Sequence, residues 1–183
     1  MRIASFIVLL TIIIGTLAPA MVWAQYEDDQ PSKMGLKLGF YRPAGADDRA
    51  ITDNNWIVEE LTYDFKHDEM GRTVATAELG LFDGSGVSNP SALMFAASRI
   101  WISDAKGGNS LYYGAGAGLM RIKFFDEKNV KPMGQLFAGY NFGGAYFAEL
   151  RLLVTGEVDA PFIGAPSLNM TGYTLSVGTK KLF

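Results

Sequence analysis

Alternation between apolar residues and small or polar ones runs through most of this chain and most constrains its fold. Beyond residue 24 the 183-residue sequence has no apolar stretch as long as a transmembrane helix, although 49% of its residues are hydrophobic. In segment 33–41, every second residue from Met34 to Phe40 is apolar, and the residues between them are Gly or Lys. A period of two residues marks a β-strand with one apolar face. The chain is therefore predicted to be all-β, and any membrane crossing must be made by strands.

Eight such segments can be counted along the chain, which suits one closed domain. They cover residues 33–41, 55–66, 72–82, 93–103, 110–125, 133–143, 145–155 and 170–180. The connections after the first, third and seventh segments are long and rich in Gly, Pro, Asp and Asn, whereas those after the second, fourth and sixth are tighter. Short turns on one rim and longer loops on the other are the layout of bacterial outer-membrane barrels. This layout predicts an eight-stranded antiparallel up-and-down transmembrane β-barrel with both termini in the periplasm.

The first 24 residues have the features of a cleaved secretory signal peptide. Arg2 supplies the positive charge, an apolar run extends from Ile3 to Leu17, and residues 22–24 (VWA) supply a cleavage site. The apolar run is shorter than the roughly 20 residues that a spanning helix needs. Residues 25–32 are polar and are expected to form a flexible lead-in, which leaves 33–183 as the barrel domain.

Net charge and cysteine content exclude several classes of partner and site. Cleavage after residue 24 removes one of the 16 Lys and Arg and none of the 19 Asp and Glu, so the mature chain carries a formal charge of −4. So mild an acidic excess does not favour nucleic acid as a partner. The sequence contains no cysteine, which excludes disulfides and thiolate metal sites.

Alternation alone does not decide whether the apolar face points into a core or out into lipid. The opposite face is rich in Gly, Ser and Thr, which suits the narrow interior of an eight-stranded barrel. Aromatic residues also cluster where the strands would cross the two membrane interfaces, as in the girdles of transmembrane barrels. The predicted girdle residues are Phe40, Tyr41, Trp56, Tyr63, Phe65, Tyr113, Tyr140, Phe142 and Tyr146. The alternative is a soluble barrel of the lipocalin sort, with aromatic residues plugging its ends.

Taken together, these features resemble the small eight-stranded outer-membrane barrels of the OmpA, OmpX and OmpW type. The resemblance rests on the signal peptide, the eight strands, the G-x-G-x-G strand at 114–118, the opening MGLKLGFYRP at 34–43 and the terminal Phe183. It implies a protein embedded in outer-membrane lipids and lipopolysaccharide. In that group a terminal aromatic residue is read by the barrel-assembly machinery, so the resemblance implies that Phe183 is the assembly signal. A monomer is the expected state.

Charged residues recur on the small-residue face near the middles of the predicted strands. They are Lys37, Glu60, Glu78, Arg99, Glu149 and Arg151. Because buried charges must be paired or hydrogen-bonded, opposite signs on neighbouring strands predict an ion-pair network that plugs the lumen. A gated or narrow ion path is the alternative. Glu59 raises a difficulty, since it follows the opposite face from Glu60: either a β-bulge lies there or Glu59 reaches the headgroups.

We predict no catalytic residue, cofactor or metal site. His67, the single histidine, lies in a predicted periplasmic turn with no serine nearby in sequence. The glycines at 114–118 lack the features of a phosphate loop and are expected to make room for bulky lumen side chains. Asp47, Asp48 and Asp53 are expected to be solvated loop residues. The predicted function is a non-enzymatic barrel with a structural or surface-loop binding role; the alternatives are an OmpW-like channel for small or hydrophobic molecules and a lipid A-modifying enzyme.

Overall fold

The computed structural model describes residues 34–52, 55–67, 73–84, 90–103, 109–124, 127–142, 146–158 and 167–179. Within these ranges, eight antiparallel strands form one closed barrel. The predicted signal peptide (1–24), the lead-in (25–32) and Phe183 lie outside the described residues. No helix in the described part of the chain has the length and apolar character needed to cross a membrane.

The order of the strands around the barrel follows their order in the sequence. The barrel strands are β1 (Met34–Pro43), β2 (Trp56–His67), β3 (Thr73–Asp83), β4 (Ser91–Ile102), β5 (Ser110–Phe124), β6 (Glu127–Phe142), β7 (Tyr146–Thr155) and β10 (Gly172–Thr179). Two short strands, β8 (Glu157–Val158) and β9 (Leu168–Asn169), form a separate two-stranded sheet, and helix α1 (Ala46–Thr52) connects β1 to β2. Strand β1 pairs with β10 and closes the ring. The predicted all-β, eight-stranded antiparallel barrel is therefore confirmed.

Strand β6 begins earlier than the sequence pattern indicated. It was predicted at 133–143, but it begins at Glu127 and pairs with β5 as far out as Phe124. Segment 127–132 contains two lysines and a proline, so it lacks the apolar alternation that marks the other strands. It is extended because pairing with β5 satisfies its backbone groups. The β5–β6 hairpin consequently projects beyond β7, whose pairing with β6 stops at Met133.

The outer face of the barrel carries an apolar belt. Many large apolar side chains on this face are exposed, among them Leu38, Phe40, Ile57, Phe95, Leu119, Leu136, Leu150 and Leu175. Alternate positions point inward and are buried, as the pattern of β3 shows from Val74 to Phe82. Glu59 lies on the outer face, and the irregularity in the β2–β3 pairing falls between Asp64 and Lys66, away from Glu59. An apolar outer belt around an interior that holds charged and polar groups is the arrangement of a membrane barrel.

Seven of the nine predicted girdle residues lie exposed on the outer face: Phe40, Tyr63, Phe65, Tyr113, Tyr140, Phe142 and Tyr146. The prediction was wrong for Tyr41 and Trp56, which are 0% exposed and point into the lumen. The cause is the two-residue period: Phe40 and Ile57 take the outward positions, so their neighbours must face inward. Tyr41 and Trp56 are paired across β1 and β2, and their rings pack edge to face with centroids 5.7 Å apart.

Helix α1 and the β8–β9 sheet meet at the long-loop end of the barrel. Asp48 accepts a hydrogen bond of 2.8 Å from the backbone N–H of Asn169, and the Ala44 N–H donates to the Thr171 carbonyl at 2.9 Å. Asp48 is buried, contrary to the solvated role expected for it. Burial raises the pKa of the Asp48 carboxyl, although the Asn169 N–H acts in the opposite direction. These contacts tie the first long loop to the last one.

Candidate functional site

The middle of the lumen holds an ionic layer, which we define as Lys37 on β1, Glu60 on β2, Glu78 on β3, and Glu149 and Arg151 on β7. Each of these residues is at most 6% exposed. They come together because each occupies an inward position of its strand, and the closed ring turns all inward positions toward one axis. The structure thus brings together five of the six residues predicted to lie in the lumen.

Arg151 is the centre of the ionic layer. Its guanidinium makes a two-pronged contact with Glu60, with Nη1 to Oε2 and Nη2 to Oε1 both at 2.9 Å. Nη1 also lies 2.9 Å from Oε2 of Glu78, and Nη2 lies 2.7 Å from Oε1 of Glu149. The planar fork of arginine suits such simultaneous contact with several carboxylates. One side chain therefore links three strands across the lumen.

Lys37 supplies the second cation of the ionic layer. Its Nζ lies 2.8 Å from Glu60 Oε1 and 3.0 Å from Glu149 Oε1. The same ammonium lies 5.6 Å from the centre of the Phe137 ring and 6.0 Å from that of Phe147. Aromatic faces attract cations at such distances. Lys37 thus joins the carboxylates to the aromatic side chains on their short-turn side.

Arg99 does not belong to the ionic layer, and its predicted place in the lumen was wrong. It lies exposed on the outer face, and its Nη2 donates to Thr73 Oγ1 at 3.3 Å. The buried residues Ser98 and Ile100 on either side take the inward positions of β4, so Arg99 must point outward. Near the short-turn end of its strand, a long arginine side chain can extend toward the membrane interface.

Three uncharged partners of the ionic layer were missed by the sequence analysis. The Tyr112 hydroxyl donates to Glu149 Oε2 at 2.9 Å. Gln135 accepts a hydrogen bond from Arg151 Nη1 at 2.9 Å and donates from Nε2 to Ser98 Oγ at 2.7 Å. The sequence alternation could have identified Tyr112, Gln135 and Ser98, because all three occupy inward positions of their strands. Within the described residues, no group of three or more His, Asp or Glu side chains is arranged to hold a metal ion.

Apolar layers lie on both sides of the ionic layer. Toward the long loops, the fully buried side chains include Tyr41, Trp56, Phe82, Met94, Met120 and Leu153. Toward the short turns, Val74, Ile100, Tyr112, Phe137 and Phe147 form a second cluster. Strand β7 shows the order directly, since Leu153, Arg151, Glu149 and Phe147 follow one another on its inward face. The apolar layer toward the long loops covers the ionic layer. Toward the short turns the aromatic cluster covers part of it, and beside that cluster Thr62, Asp64 and Thr76 line a small cavity that reaches the ionic layer.

Glycine at position 114 makes room for the aromatic ring of the short-turn layer. A Cβ atom at Gly114 would overlap the ring of Phe137 on β6, its register partner. A Cβ at Gly139 would likewise overlap the ring of Tyr112. The prediction that the glycines at 114–118 accommodate bulky lumen side chains is thus confirmed for Gly114.

Substituting Gly114 with alanine is expected to lower the free energy of unfolding by about 1–3 kcal/mol, because the added methyl overpacks the lumen. Urea unfolding of the folded barrel would measure the loss. Gly134→Ala is the matched control on β6, since a Cβ there meets nothing within 4 Å. Adding Phe137→Leu should recover part of the loss. Strictly additive effects of the two substitutions would argue against direct contact.

Comparison with known proteins identifies the fold. No protein-family model matches the chain, and no curated protein matches it. The structure is similar to Neisserial surface protein A, with a TM-score of 0.58 and 11% identity over 80% of this chain and 92% of that one. For the outer-membrane enzyme PagL the TM-score is 0.50, with 13% identity over 79% and 97% of the two chains. For the N-terminal β-barrel domain of Pseudomonas aeruginosa OprF it is 0.48, with 15% identity over 82% and 98%. The chain thus has the fold of the small eight-stranded outer-membrane barrels.

Proposed function

We propose that this protein is a non-enzymatic, integral outer-membrane barrel with a closed lumen, whose role is structural or lies in binding by its surface loops. The ionic layer, together with the apolar layer that covers it on the long-loop side, is the observation that carries this proposal. An ion moving along the axis would have to displace packed aromatic and methionine side chains in the long-loop layer and break contacts of 2.7–3.0 Å in the ionic layer. Separating buried ion pairs costs several kcal/mol.

The outer-membrane location is supported by the apolar belt. Exposed leucines and aromatics around a barrel with a charged interior are favourable in lipid and unfavourable in water. The short turns lie on the same rim as the start of β1 and the end of β10, where Leu36 pairs with Thr179. In such barrels short turns face the periplasm. We therefore place the termini there, with outer-membrane lipids and lipopolysaccharide around a monomeric barrel and with Phe183 as the signal to the assembly machinery.

A narrow channel, the second candidate, is favoured by the apolar side chains on the inward face. Trp56 and Val58 lie in the long-loop layer and Phe137 in the short-turn layer. All three are packed against their neighbours, so a hydrophobic molecule would enter only after these layers rearranged. The closed state is the better account of this geometry.

Purified protein in planar bilayers is expected to show no steady conductance, because the ionic layer and the apolar layer on its long-loop side block the axis. Migration on a gel without boiling would confirm that the sample is folded. Steady conductance that Lys37→Met or Glu78→Gln alters would contradict the closed lumen, since it would place those residues along a water-filled path.

A lipid-modifying enzyme is the third candidate, because PagL is an outer-membrane enzyme with a similar fold. Fold does not decide function. Mass spectra of lipid A from cells with and without the protein separate the two candidates. We expect identical spectra, and a changed acyl pattern would favour the enzyme.

A further inference from the structure

One acidic side chain interrupts the apolar belt on the outer face of the barrel. Glu59 on β2 points outward, and its register partners, Leu38 on β1 and Leu81 on β3, are both leucines. Along β2 its outward neighbours are Ile57, which is 56% exposed, and Leu61, which is partly exposed. Aliphatic side chains therefore lie on all four sides of the Glu59 carboxyl.

Glu59 lies midway between the two ends of the outer face of β2. Four residues separate it from the exposed Asn55 at the long-loop end, and four separate it from the girdle residue Tyr63. Four residues span about 13 Å along a strand, or about 10 Å of height in a barrel whose strands tilt by about 35–45°. A side chain with only two methylene groups does not bridge that distance. Glu59 is therefore near the middle of the apolar belt, and it does not make the headgroup contact considered from the sequence.

No group of the same barrel engages the Glu59 carboxyl. Within the described residues, Glu59 takes part in no hydrogen bond or ion pair. The charged side chain diagonally across the β2–β3 pair, Asp83, is acidic as well and lies one outward position nearer the rim. The closest described outward cation on β1, Arg42, is four residues beyond Leu38, about 13 Å along the strand. An acidic group in hydrocarbon without a partner is costly, and such groups mark functional sites in membrane proteins.

A two-fold axis along the membrane normal would supply the missing partner. Such an axis places the same residue of two copies against each other at the same depth. A carboxylic acid donates through its O–H and accepts through its carbonyl oxygen, so two facing Glu59 side chains in the neutral form can make two reciprocal hydrogen bonds. Hydrocarbon favours this neutral form, since an unpaired charge there is far more costly.

We propose that two copies of this protein pair in the outer membrane through the outer face around Glu59, with the two Glu59 carboxyls hydrogen-bonded to each other at the centre of the contact. The aliphatic side chains around Glu59 pack against the same residues of the second copy, because van der Waals packing and polar contacts hold membrane segments together. The inference rests on the proposed function, which places lipid around the barrel. The monomeric barrel is the species that folds, and the pair forms after insertion.

Cysteine cross-linking tests the pairing, because the chain has no cysteine of its own. The full-length protein carrying Leu38→Cys is folded into phosphatidylcholine vesicles, and a short bifunctional thiol reagent is added. Leu136→Cys is the matched control, since Leu136 is 59% exposed on β6, four strands around the ring from β2. At protein-to-lipid ratios low enough to exclude chance collisions, we expect cross-linked dimers with Leu38→Cys and few with Leu136→Cys.

Substitutions of Glu59 separate the role of its carboxyl from general contact between barrels. Combined with Leu38→Cys, Glu59→Leu should weaken the pairing roughly 3- to 30-fold. Glu59→Gln should preserve it, because an amide also donates and accepts. In urea unfolding from dilute vesicles, Glu59→Leu should raise the midpoint, since leucine suits the lipid face better than a carboxyl. A variant that is more stable yet pairs less well has not lost its pairing through misfolding.

Three results would overturn the inference. Equal cross-linking at positions 38 and 136 would indicate random collision, and unchanged pairing in Glu59→Leu would remove the carboxyl from the contact. A lower urea midpoint for Glu59→Leu would give Glu59 a stabilising role within its own barrel. Migration on a gel without boiling, measured on the same samples, separates this inference from the proposed function. A protein that inserts but does not pair contradicts the inference alone, whereas one that stays soluble without detergent contradicts both.

Discussion

Replacing Arg151 with methionine is expected to destabilise the folded barrel by about 3–5 kcal/mol, or to prevent its folding, because it removes one partner from a buried ion cluster. Arg151 lies 2.7–2.9 Å from oxygens of Glu60, Glu78 and Glu149. Methionine keeps much of the aliphatic stem but leaves those three carboxylates facing Lys37 alone. Urea unfolding of the protein refolded into detergent or vesicles, followed by tryptophan fluorescence, measures the change.

Arg99→Met is the matched control, since Arg99 is exposed on the outer face and makes its hydrogen bond to Thr73 there. A change of no more than about 1 kcal/mol is expected, because a cation near the membrane interface costs about 0–1 kcal/mol. If Arg151→Met does not fold, adding Glu60→Gln and Glu149→Gln should restore folding, because Lys37 and Glu78 then remain as a balanced pair. Equal midpoints for Arg99→Met and Arg151→Met would contradict the central role assigned to Arg151.

The composition of the ionic layer explains why it needs uncharged partners. Two cations face three carboxylates, which leaves one formal negative charge in excess among Lys37, Arg151 and the three glutamates. Tyr112 places its hydroxyl on the Glu149 oxygen that Arg151 does not contact, and Gln135 accepts from Arg151. Each buried charge or lone pair satisfied in this way avoids a desolvation penalty of about 1–3 kcal/mol.

The alternation of apolar with small or polar residues predicted the barrel, because this pattern is present in the sequence of each strand separately. The alternation also decides which of two adjacent residues faces inward. Tyr41 and Trp56 were assigned wrongly because the girdle prediction considered their aromatic character and not their position in the alternation. Phe40 with Tyr41 is the clearest case: neighbours in a strand point to opposite faces, so one member of the pair had to lie in the lumen. For Arg99, the inward positions of β4 on either side are taken by Ser98 and Ile100, which are buried, so Arg99 itself faces outward.

The alternation within a single strand could not predict the side-chain contacts across the lumen. Arg151 and Glu60 are 91 residues apart in sequence, and their strands, β7 and β2, are not neighbours in the sheet. Their meeting depends on how the ring closes and how its strands are staggered, which no single segment specifies. The sequence therefore predicted five of the charges that lie inside, but not that Arg151 contacts all three glutamates. The extended start of β6 escaped prediction because it depends on pairing with β5.

Arginine in place of Leu150 is expected to destabilise the barrel in a bilayer by about 2–4 kcal/mol, the cost of a cation on the lipid face near the midplane. Leu150 is 57% exposed and lies opposite Ala138 on one side and Leu175 on the other, within the apolar belt. On a soluble barrel the same side chain would face water, and the substitution would change stability by no more than about 0.5 kcal/mol. The result therefore decides between the membrane barrel and its soluble alternative.

Val154→Arg is the control for depth, because Val154 lies on the same strand and face as Leu150, four residues nearer the long-loop rim, and is 50% exposed. Near an interface the cost of a cation falls to about 0–1 kcal/mol. Urea unfolding of both variants in lipid vesicles should thus show a larger loss at Leu150 than at Val154. Equal losses of unfolding free energy in the two variants would indicate local disruption of β7. If neither substitution changed the stability, the outer face would lie in water. A loss that depends on depth is what lipid contact requires, and a packing defect has no reason to follow distance from the membrane midplane.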